Sequence, residues 1–306
     1  VARNEGLAMR ERLLLGPVLI GVLIGGLWLD EWLDGRVAPW SKAGQTLPPG
    51  IVVLVFCVML AVLASRELAA IFTSKGVEAS KRILTTAALL GLGACCLVPS
   101  SVSAGAAVGA VGTSAVLVLI MALGFYSRHK SVEGVAAATG AALVAFVYLG
   151  LMLGFVPAIR RDHSAWVLLW VLLVTKSCDI GAYFAGKSFG RHKLIPWLSP
   201  GKTWEGLVGG VLMSSAVSVA GLEVLEAWGV ISGVPLWAGV IPGVLFAVVG
   251  QTGDLLESML KRDAGIKDSG KVLPGFGGVL DVIDSPLLVA PLAFWVLRAF
   301  GAAGWL

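Results

Sequence analysis

Charge is scarce in this chain. Only 14% of its 306 residues are Asp, Glu, Lys or Arg, while 57% are apolar, a balance that excludes an ordinary soluble domain. Histidine is scarcer still, with three residues. His192 has no companions at zinc-ligand spacing, which leaves it a surface or phosphate-facing residue. The four cysteines, Cys57, Cys95, Cys96 and Cys178, fall in or near apolar runs without metal-ligand spacing and read as buried, inert thiols. The formal charge of +4 would suggest nucleic acid in a soluble protein. Here the distribution of the basic residues accounts for it.

What the chain has in abundance is long apolar runs. Nine recur, at 13–30, 50–72, 83–100, 104–125, 134–156, 164–184, 206–225, 234–254 and 282–303, each near the length that crosses a bilayer as a helix. The expected fold is all-α, a polytopic transmembrane protein of about nine spans. Many spans follow the first and no small-residue cleavage site succeeds it, so it reads as a span rather than a signal peptide. With the N-terminus cytoplasmic, the inside segments carry sixteen basic residues: Arg3, Arg10, Arg12, Lys75, Lys81, Arg82, Arg128, Lys130, Lys187, Arg191, Lys193, Lys202, Lys261, Arg262, Lys267 and Lys271. The outside links carry four, Arg36, Lys42, Arg160 and Arg161. That bias orients the chain N-in and C-out.

Residues 1–156 read as an N-terminal transmembrane scaffold and 157–306 as a C-terminal transmembrane catalytic region. Gly105, Gly109 and Gly112 in the first part suggest close helix packing. Asp30–Gly50, with Pro39, Trp40, Pro48 and Pro49, reads as an outer link, with Trp32 and Trp40 at the interface. Arg66 and Glu67 fall late in the second span, where a lone charge is costly. They either snorkel or pair with charges on neighbouring helices, or they support a polar cavity. Lys176 and Asp179, three apart in the sixth span, share a helix face. They form a structural pair or touch a charged substrate.

A basic, glycine-rich stretch follows at Gly186–Lys193 and Ser199–Gly206. Gly181 to Ser188 fits the Walker spacing letter by letter, but a membrane span precedes it and no strand–loop–helix unit is evident. Gly201-Lys202-Thr203 matches only the tail of that motif, and a Walker site is rejected.

The polar residues gather instead in Gln251–Ser285. Four carboxylates, Asp254, Glu257, Asp281 and Asp284, stand there among Lys261, Arg262, Asp263, Lys267, Asp268 and Lys271. A helix through Gln251–Arg262 puts Asp254, Glu257, Ser258 and Lys261 on one face. Asp281, Asp284 and Ser285 make a second face at the start of the last span. Between them Lys267-Asp268 and Pro274–Gly278 form a turn-rich loop. Asp254 and Asp281 could share a hard divalent ion such as Mg²⁺, which takes oxygen ligands and binds phosphates. Glu257 and Asp284 would then orient the ligands. Salt bridges without metal are the alternative.

Those residues carry a family resemblance. Ser258-Met259-Leu260-Lys261-Arg262, Lys267-Asp268, Leu273-Pro274-Gly275, Gly277-Gly278-Val279-Leu280-Asp281 and Ile283-Asp284-Ser285 resemble the signature of the phosphatidate cytidylyltransferases, or CDP-diacylglycerol synthases. Ala182-Tyr183, Gly186-Lys187, Phe189-Gly190 and Ser199–Gly206 resemble the same family. Regions 175–206 and 251–285 together make a specific match, and the first half matches only in membrane character. Two positions depart: Phe276 stands where the signature usually has histidine, and Val282 where it usually has arginine.

The resemblance implies that CTP and phosphatidic acid give CDP-diacylglycerol and pyrophosphate, with the lipid phosphate attacking the α-phosphorus and no protein nucleophile. It implies that Asp254 and Asp281 hold Mg²⁺, that Asp284 supports them, and that K⁺ is a candidate second ion. Lys202, Lys261, Arg262 and Lys267 become phosphate-binding candidates, with Lys202 and Lys261 in the catalytic set. Asp179, Lys187, Ser199, Thr203, Glu205, Ser258 and Asp268 join the substrate site. A homodimer in a bacterial inner membrane, with its active site toward the cytoplasm and no nucleic-acid partner, completes the expectation. A CTP-dependent lipid kinase and a transporter are the rivals. The transporter predicts midplane charges and repeated halves, whereas the charges here gather toward one surface.

Overall fold

The computed structural model describes residues 2–34, 49–96, 103–129, 132–270 and 272–306, with side-chain surroundings from residue 15 onward except at 129. Arg36, Pro39, Trp40, Lys42, Pro48, Lys130, Lys271 and the link at 97–102 fall outside what is described, as do the side-chain surroundings of Arg3, Arg10 and Arg12 in α1. The helices are α1 (Ala2–Asp34), α2 (Ile51–Ser74), α3 (Lys81–Cys96), α4 (Ala104–Tyr126), α5 (Val135–Asp162), α6 (Ala165–Phe189), α7 (Trp204–Ala227), α8 (Leu236–Asp263) and α9 (Leu280–Ala302). Among the described residues, eight helices are long and apolar enough to cross a membrane, so the chain is an all-α, multi-pass membrane protein. The ninth expected span is α3, which has 16 described residues.

One element departs from all-α. Strands β1 (Lys193–Ile195) and β2 (Ser199–Thr203) pair antiparallel between α6 and α7. β2 runs directly into α7 at Thr203, with no loop between strand and helix. The Walker spacing is still not a phosphate loop, because Gly181–Ser188 lies inside α6.

The chain forms two compact units. The first comprises 1–161 with 263–282, the second 162–262 with 283–306. Within the first, α5 contains a π-helical stretch, Ala145–Leu151, and packs on α3 backbone to backbone. A Cβ on Gly91 would stand 2.4 Å from the Phe146 carbonyl, and one on Gly150 would stand 2.6 Å from the Ala88 carbonyl. Small residues permit such approach where packing, rather than water, drives helix association. The expected packing role of Gly105, Gly109 and Gly112 is not met within the described residues: a Cβ on any of them meets nothing within 4 Å.

Arg160 and Arg161 also differ from the expectation that they lie in a link. They sit in the last turn of α5, and Arg160, 3% exposed, donates to Asp30 (2.6 Å), Glu31 (3.1 Å) and Asp34 of α1. A buried guanidinium is tolerable only with such partners. Asp30 Oδ1 also accepts from the Val52 and Val53 N–H groups (2.8 and 3.2 Å) at the start of α2. That helix begins after Gly50, has no side-chain cap of its own, and takes its N-terminal acceptor from α1.

In the second unit α6 and α7 meet through glycines. A Cβ on Gly181 would lie 2.6 Å from the Gly209 carbonyl, and one on Gly210 would lie 2.8 Å from Cys178 Sγ. Gly181 and Gly186, which imitate a phosphate loop in sequence, are thus in or beside this helix contact. Ser164 caps α6 by accepting from the Trp166 N–H (3.3 Å), and Thr203 caps α7 by accepting from the Gly206 N–H (3.0 Å).

Candidate functional site

In the second unit a cavity of about 280 Å³ is lined by Asp179, Ala182 and Tyr183 of α6, Leu194 of β1, Gly201, Lys202 and Thr203 of β2, Gly206 and Leu207 of α7, and Gln251 and Asp254 of α8. The lining is mixed: Asp179, Lys202, Thr203, Gln251 and Asp254 are polar and carry both signs of charge, and Ala182, Leu194 and Leu207 are apolar. The hairpin brings Lys202 to the cavity, where its Nζ lies 2.6 Å from Asp254 Oδ2 and donates to the Gln251 carbonyl at 3.5 Å. The hairpin's own ends are held by Glu205, whose carboxylate accepts from the Arg191 N–H (3.1 Å) and the His192 N–H (3.2 Å) and lies 2.6 Å from His192 Nδ1. Glu205 thus latches the loop that presents Lys202.

The α8 helix runs through Asp263 as the spacing predicts, and its polar face forms as expected. Ser258 Oγ donates to Asp254 Oδ1 at 3.4 Å, and Lys261 Nζ meets Glu257 Oε2 at 2.5 Å. Asp284 of α9 joins this face. One carboxylate oxygen each from Asp254, Glu257 and Asp284 lies within 4.8 Å of the other two. Glu257 is fully buried and Asp284 is 5% exposed. Beside Asp284, the Ser285 Oγ is buried without a hydrogen-bond partner among the described residues. Lys176 Nζ lies 3.5 Å from both Asp179 Oδ2 and Asp284 Oδ1. Clustered, buried carboxylates repel one another unless cations hold them together. An all-oxygen donor set of this kind fits a hard divalent ion.

Two residues that sequence reasoning passed over, Gln251 and Gly253, build this site. Gln251 of α8 lines the cavity, and its Nε2 donates to Asp179 Oδ1 at 3.3 Å. Gly253 lets α8 approach α9, since a Cβ there would stand 2.6 Å from the Asp284 carbonyl. Gly250, one turn earlier, is looser, with nothing closer than 3.5 Å. The available signal was the Gly250-Gln251-Thr252-Gly253-Asp254 run, a small-residue pair leading into a membrane carboxylate.

The first unit holds three of the predicted residues, Asp281, Lys267 and Asp268. Asp281, in the first turn of α9, accepts through Oδ2 from the Ser269 N–H (3.0 Å), the Ser269 hydroxyl (2.9 Å) and the Gly278 N–H (2.7 Å). Glu67 of α2 is 6% exposed and accepts from the Val279 and Leu280 N–H groups (2.9 Å each) and from Ser269 Oγ (3.0 Å). The partners of Glu67 among the described residues are thus backbone N–H groups and a serine hydroxyl rather than the charges expected on neighbouring helices; Arg66 is exposed. Hydrogen bonds to a charged acceptor contribute about 1.5–3 kcal/mol each, so Glu67 is a strong cap for the buried start of α9. The loop also needs glycine at 277, where φ is +96° and a Cβ would lie 2.6 Å from Asp281 Oδ2. Lys267 and Asp268 are exposed on this loop.

The remaining predicted residues are spread along the second unit. Lys187 is exposed on α6 with its Nζ 5.6 Å from the Tyr183 ring centroid, Ser199 is half-buried in β2, and Arg262 is exposed at the end of α8. Phe276, the departure from the family signature, has its ring edge 3.7 Å from the position a Cβ on Gly16 of α1 would take. An apolar ring thus replaces a polar group against an apolar helix. Phe276→His is expected to change turnover only modestly, within about threefold, because that contact and not the chemistry is altered. A large gain in turnover, measured beside the parent chain, would refute the idea that the departure is compensated locally.

Comparisons with known proteins place these features. The chain is 41% identical over 142 residues to the uncharacterised protein YnbB of Escherichia coli, 46% of each chain. It is 38% identical over 150 residues to a phosphatidate cytidylyltransferase of Staphylococcus haemolyticus, covering 49% of this chain and 55% of that one. It is 36% identical over 159 residues to the Bacillus subtilis phosphatidate cytidylyltransferase, covering 51% and 57%. The aligned segment spans about half the length of these curated relatives. The model of the cytidylyltransferase family matches residues 44–300, most of the sequence, and the chain therefore belongs to that family.

Proposed function

We propose that the chain is a phosphatidate cytidylyltransferase, a nucleotidyltransferase that converts CTP and phosphatidic acid to CDP-diacylglycerol and pyrophosphate. The observation that carries this reading is the acid group of Asp254, Glu257 and Asp284 beside a cavity where Lys202 meets Asp254 at 2.6 Å. A lipid phosphate needs a polar place for its head and an apolar way out for its chains. The lining offers Lys202, Gln251 and Asp254 for the one and Ala182, Leu194 and Leu207 for the other.

In the proposed reaction a phosphate oxygen of the lipid forms a bond to the α-phosphorus of CTP while the bond to the β-phosphate oxygen breaks, and pyrophosphate leaves. Asp254 and Asp284 would hold a divalent ion, taken as Mg²⁺, with Glu257 beside them. Asp281 keeps the ligand role that the sequence assigns it, in addition to anchoring its loop, and K⁺ remains the candidate second ion. Such an ion neutralises phosphate charge and polarises phosphorus. Lys202 and Lys261 supply positive charge to the phosphates, with Arg262 and Lys267 at the ends of the segments that carry them. Thr203 and Glu205 fix the hairpin that presents Lys202. Asp179, Ser258, Ser199, Lys187 and Asp268 complete the proposed substrate surroundings. The protein acts in the inner membrane as a homodimer with this site toward the cytoplasm, where CTP is found.

The test is reconstitution of the purified chain with phosphatidic acid, Mg²⁺ and CTP labelled separately at the α- and γ-phosphates. The α-label is expected in lipid and the γ-label in pyrophosphate. Lipid carrying the γ-label, with CDP released, would replace this reading with that of a lipid kinase.

A further inference from the structure

In the second unit each acid of the group has an ammonium beside it: Lys202 on Asp254, Lys261 on Glu257, Lys176 on Asp284. With Asp179 included, four carboxylates face three lysines, one negative charge in excess. The three lysines are not equivalent. Lys261 is tied to a carboxylate four residues away on its own helix, and Lys202 comes from the hairpin. Lys176 alone stands at equal distance from two carboxylates on different helices, Asp179 of α6 and Asp284 of α9, at 3.5 Å each. Its bond to Asp179 runs along one helix face and persists without α9. Its bond to Asp284 uses the same carboxylate that belongs to the three-acid group.

An ammonium and a divalent cation on one carboxylate repel each other, and more strongly in a partly buried site than in water. Yet without any cation Asp284, 5% exposed, would be a buried charge facing two more carboxylates, which is itself costly. We propose that Lys176 is a built-in counter-ion for this acid group: it holds Asp284 when no metal is present and withdraws to Asp179 when a divalent ion arrives. Lys176 is a positioning residue that competes with the metal, and Asp179 is its second seat. The inference rests on the metal reading given above and adds a consequence for binding. The acid group takes a divalent ion less tightly than its carboxylates alone would, until Lys176 has left Asp284.

Mn²⁺ binding to the purified chain in detergent, without nucleotide, tests this by electron paramagnetic resonance of the free ion. Lys176→Met is expected to tighten Mn²⁺ binding about tenfold, an ordinary size for coupling between two ligands, and Lys176→Arg is expected to leave it near the parent value. Asp179→Asn should weaken binding in the parent, because Lys176 then has only Asp284, and should weaken it much less in the Lys176→Met background. A merely structural ion pair gives the opposite pattern: Lys176→Met binds Mn²⁺ no more tightly, and Asp179→Asn has the same effect in both backgrounds. Either result overturns the inference. Should Lys176→Met fail to give a monodisperse protein, Lys176→Gln takes its place with the same expectation. If Asp254→Asn and Asp284→Asn abolish Mn²⁺ binding while the Lys176 variants leave it unchanged, the counter-ion role alone fails. If no variant and no parent binds Mn²⁺, the metal reading fails with it.

Discussion

Asp254→Ala is expected to lower CTP-dependent turnover by about a thousandfold or more, the scale on which loss of a charge-stabilising group at a reaction centre is felt, while the chain remains folded. Asp254 joins the hairpin, the cavity and the acid group. It takes the Lys202 ammonium at 2.6 Å and the Ser258 hydroxyl at 3.4 Å, and it belongs to the acid group with Glu257 and Asp284. It is half-buried and lines the cavity, so removing its carboxylate opens no core void. Asp281→Ala is also expected to abolish turnover, but with a second signature. Asp281 holds the Ser269 and Gly278 amides, so hydrogen exchange at those two amides should accelerate in Asp281→Ala and stay slow in Asp254→Ala. Full activity in Asp254→Ala would reject its place in the chemistry. Unchanged exchange in Asp281→Ala would reject the loop-anchor role.

The contrast between these two aspartates also marks what the sequence could and could not reveal. The helical period made Asp254, Glu257, Ser258 and Lys261 one face, because i, i+3 and i+4 neighbours are fixed by the helix alone. The same logic put Lys176 beside Asp179. Partners far apart in sequence were another matter. Nothing local to Glu67 says that it caps a helix that starts at Leu280, and nothing local to Arg160 says that three acids of α1 surround it. Arg160 therefore reads as a link residue until the fold is seen. Glycines misled in both directions. Gly105, Gly109 and Gly112 have packing spacing and meet no neighbour among the described residues, whereas Gly91, Gly150 and Gly253 make backbone contacts that only a known neighbour reveals. The hairpin leaves little trace in the sequence because its strands are only three and five residues long, and Pro196 follows the first while Pro200 lies within the second, which demotes strand signals.

Gly253 gives the second large effect, and it is one of distance rather than of charge. A Cβ at 253 would stand 2.6 Å from the Asp284 carbonyl oxygen and 3.2 Å from the Ser285 Cα. Both are backbone atoms of α9, so no side chain can swing aside and the helices must separate. Asp254 and Asp284 ride on the two backbones that would part, and a displacement of about 1 Å at a reacting centre costs on the order of a hundredfold in rate. Gly253→Ala is therefore expected to lower turnover by about a hundredfold and to weaken Mn²⁺ binding as well. Gly250→Ala is the control one turn away on the same helix. Its Cβ would sit 3.5 Å from Thr175 and 3.6 Å from Ser285 and Val289, ordinary contact distances. Replacing a helical glycine by alanine removes a penalty of about 0.5–1 kcal/mol, so Gly250→Ala should keep its activity and melt no lower than the parent. If both substitutions were equally harmful, the cause would be a general intolerance of this helix face and not the spacing of the two carboxylates. If Gly253→Ala turned over at the parent rate, close approach of α8 and α9 would have no part in setting the acid group.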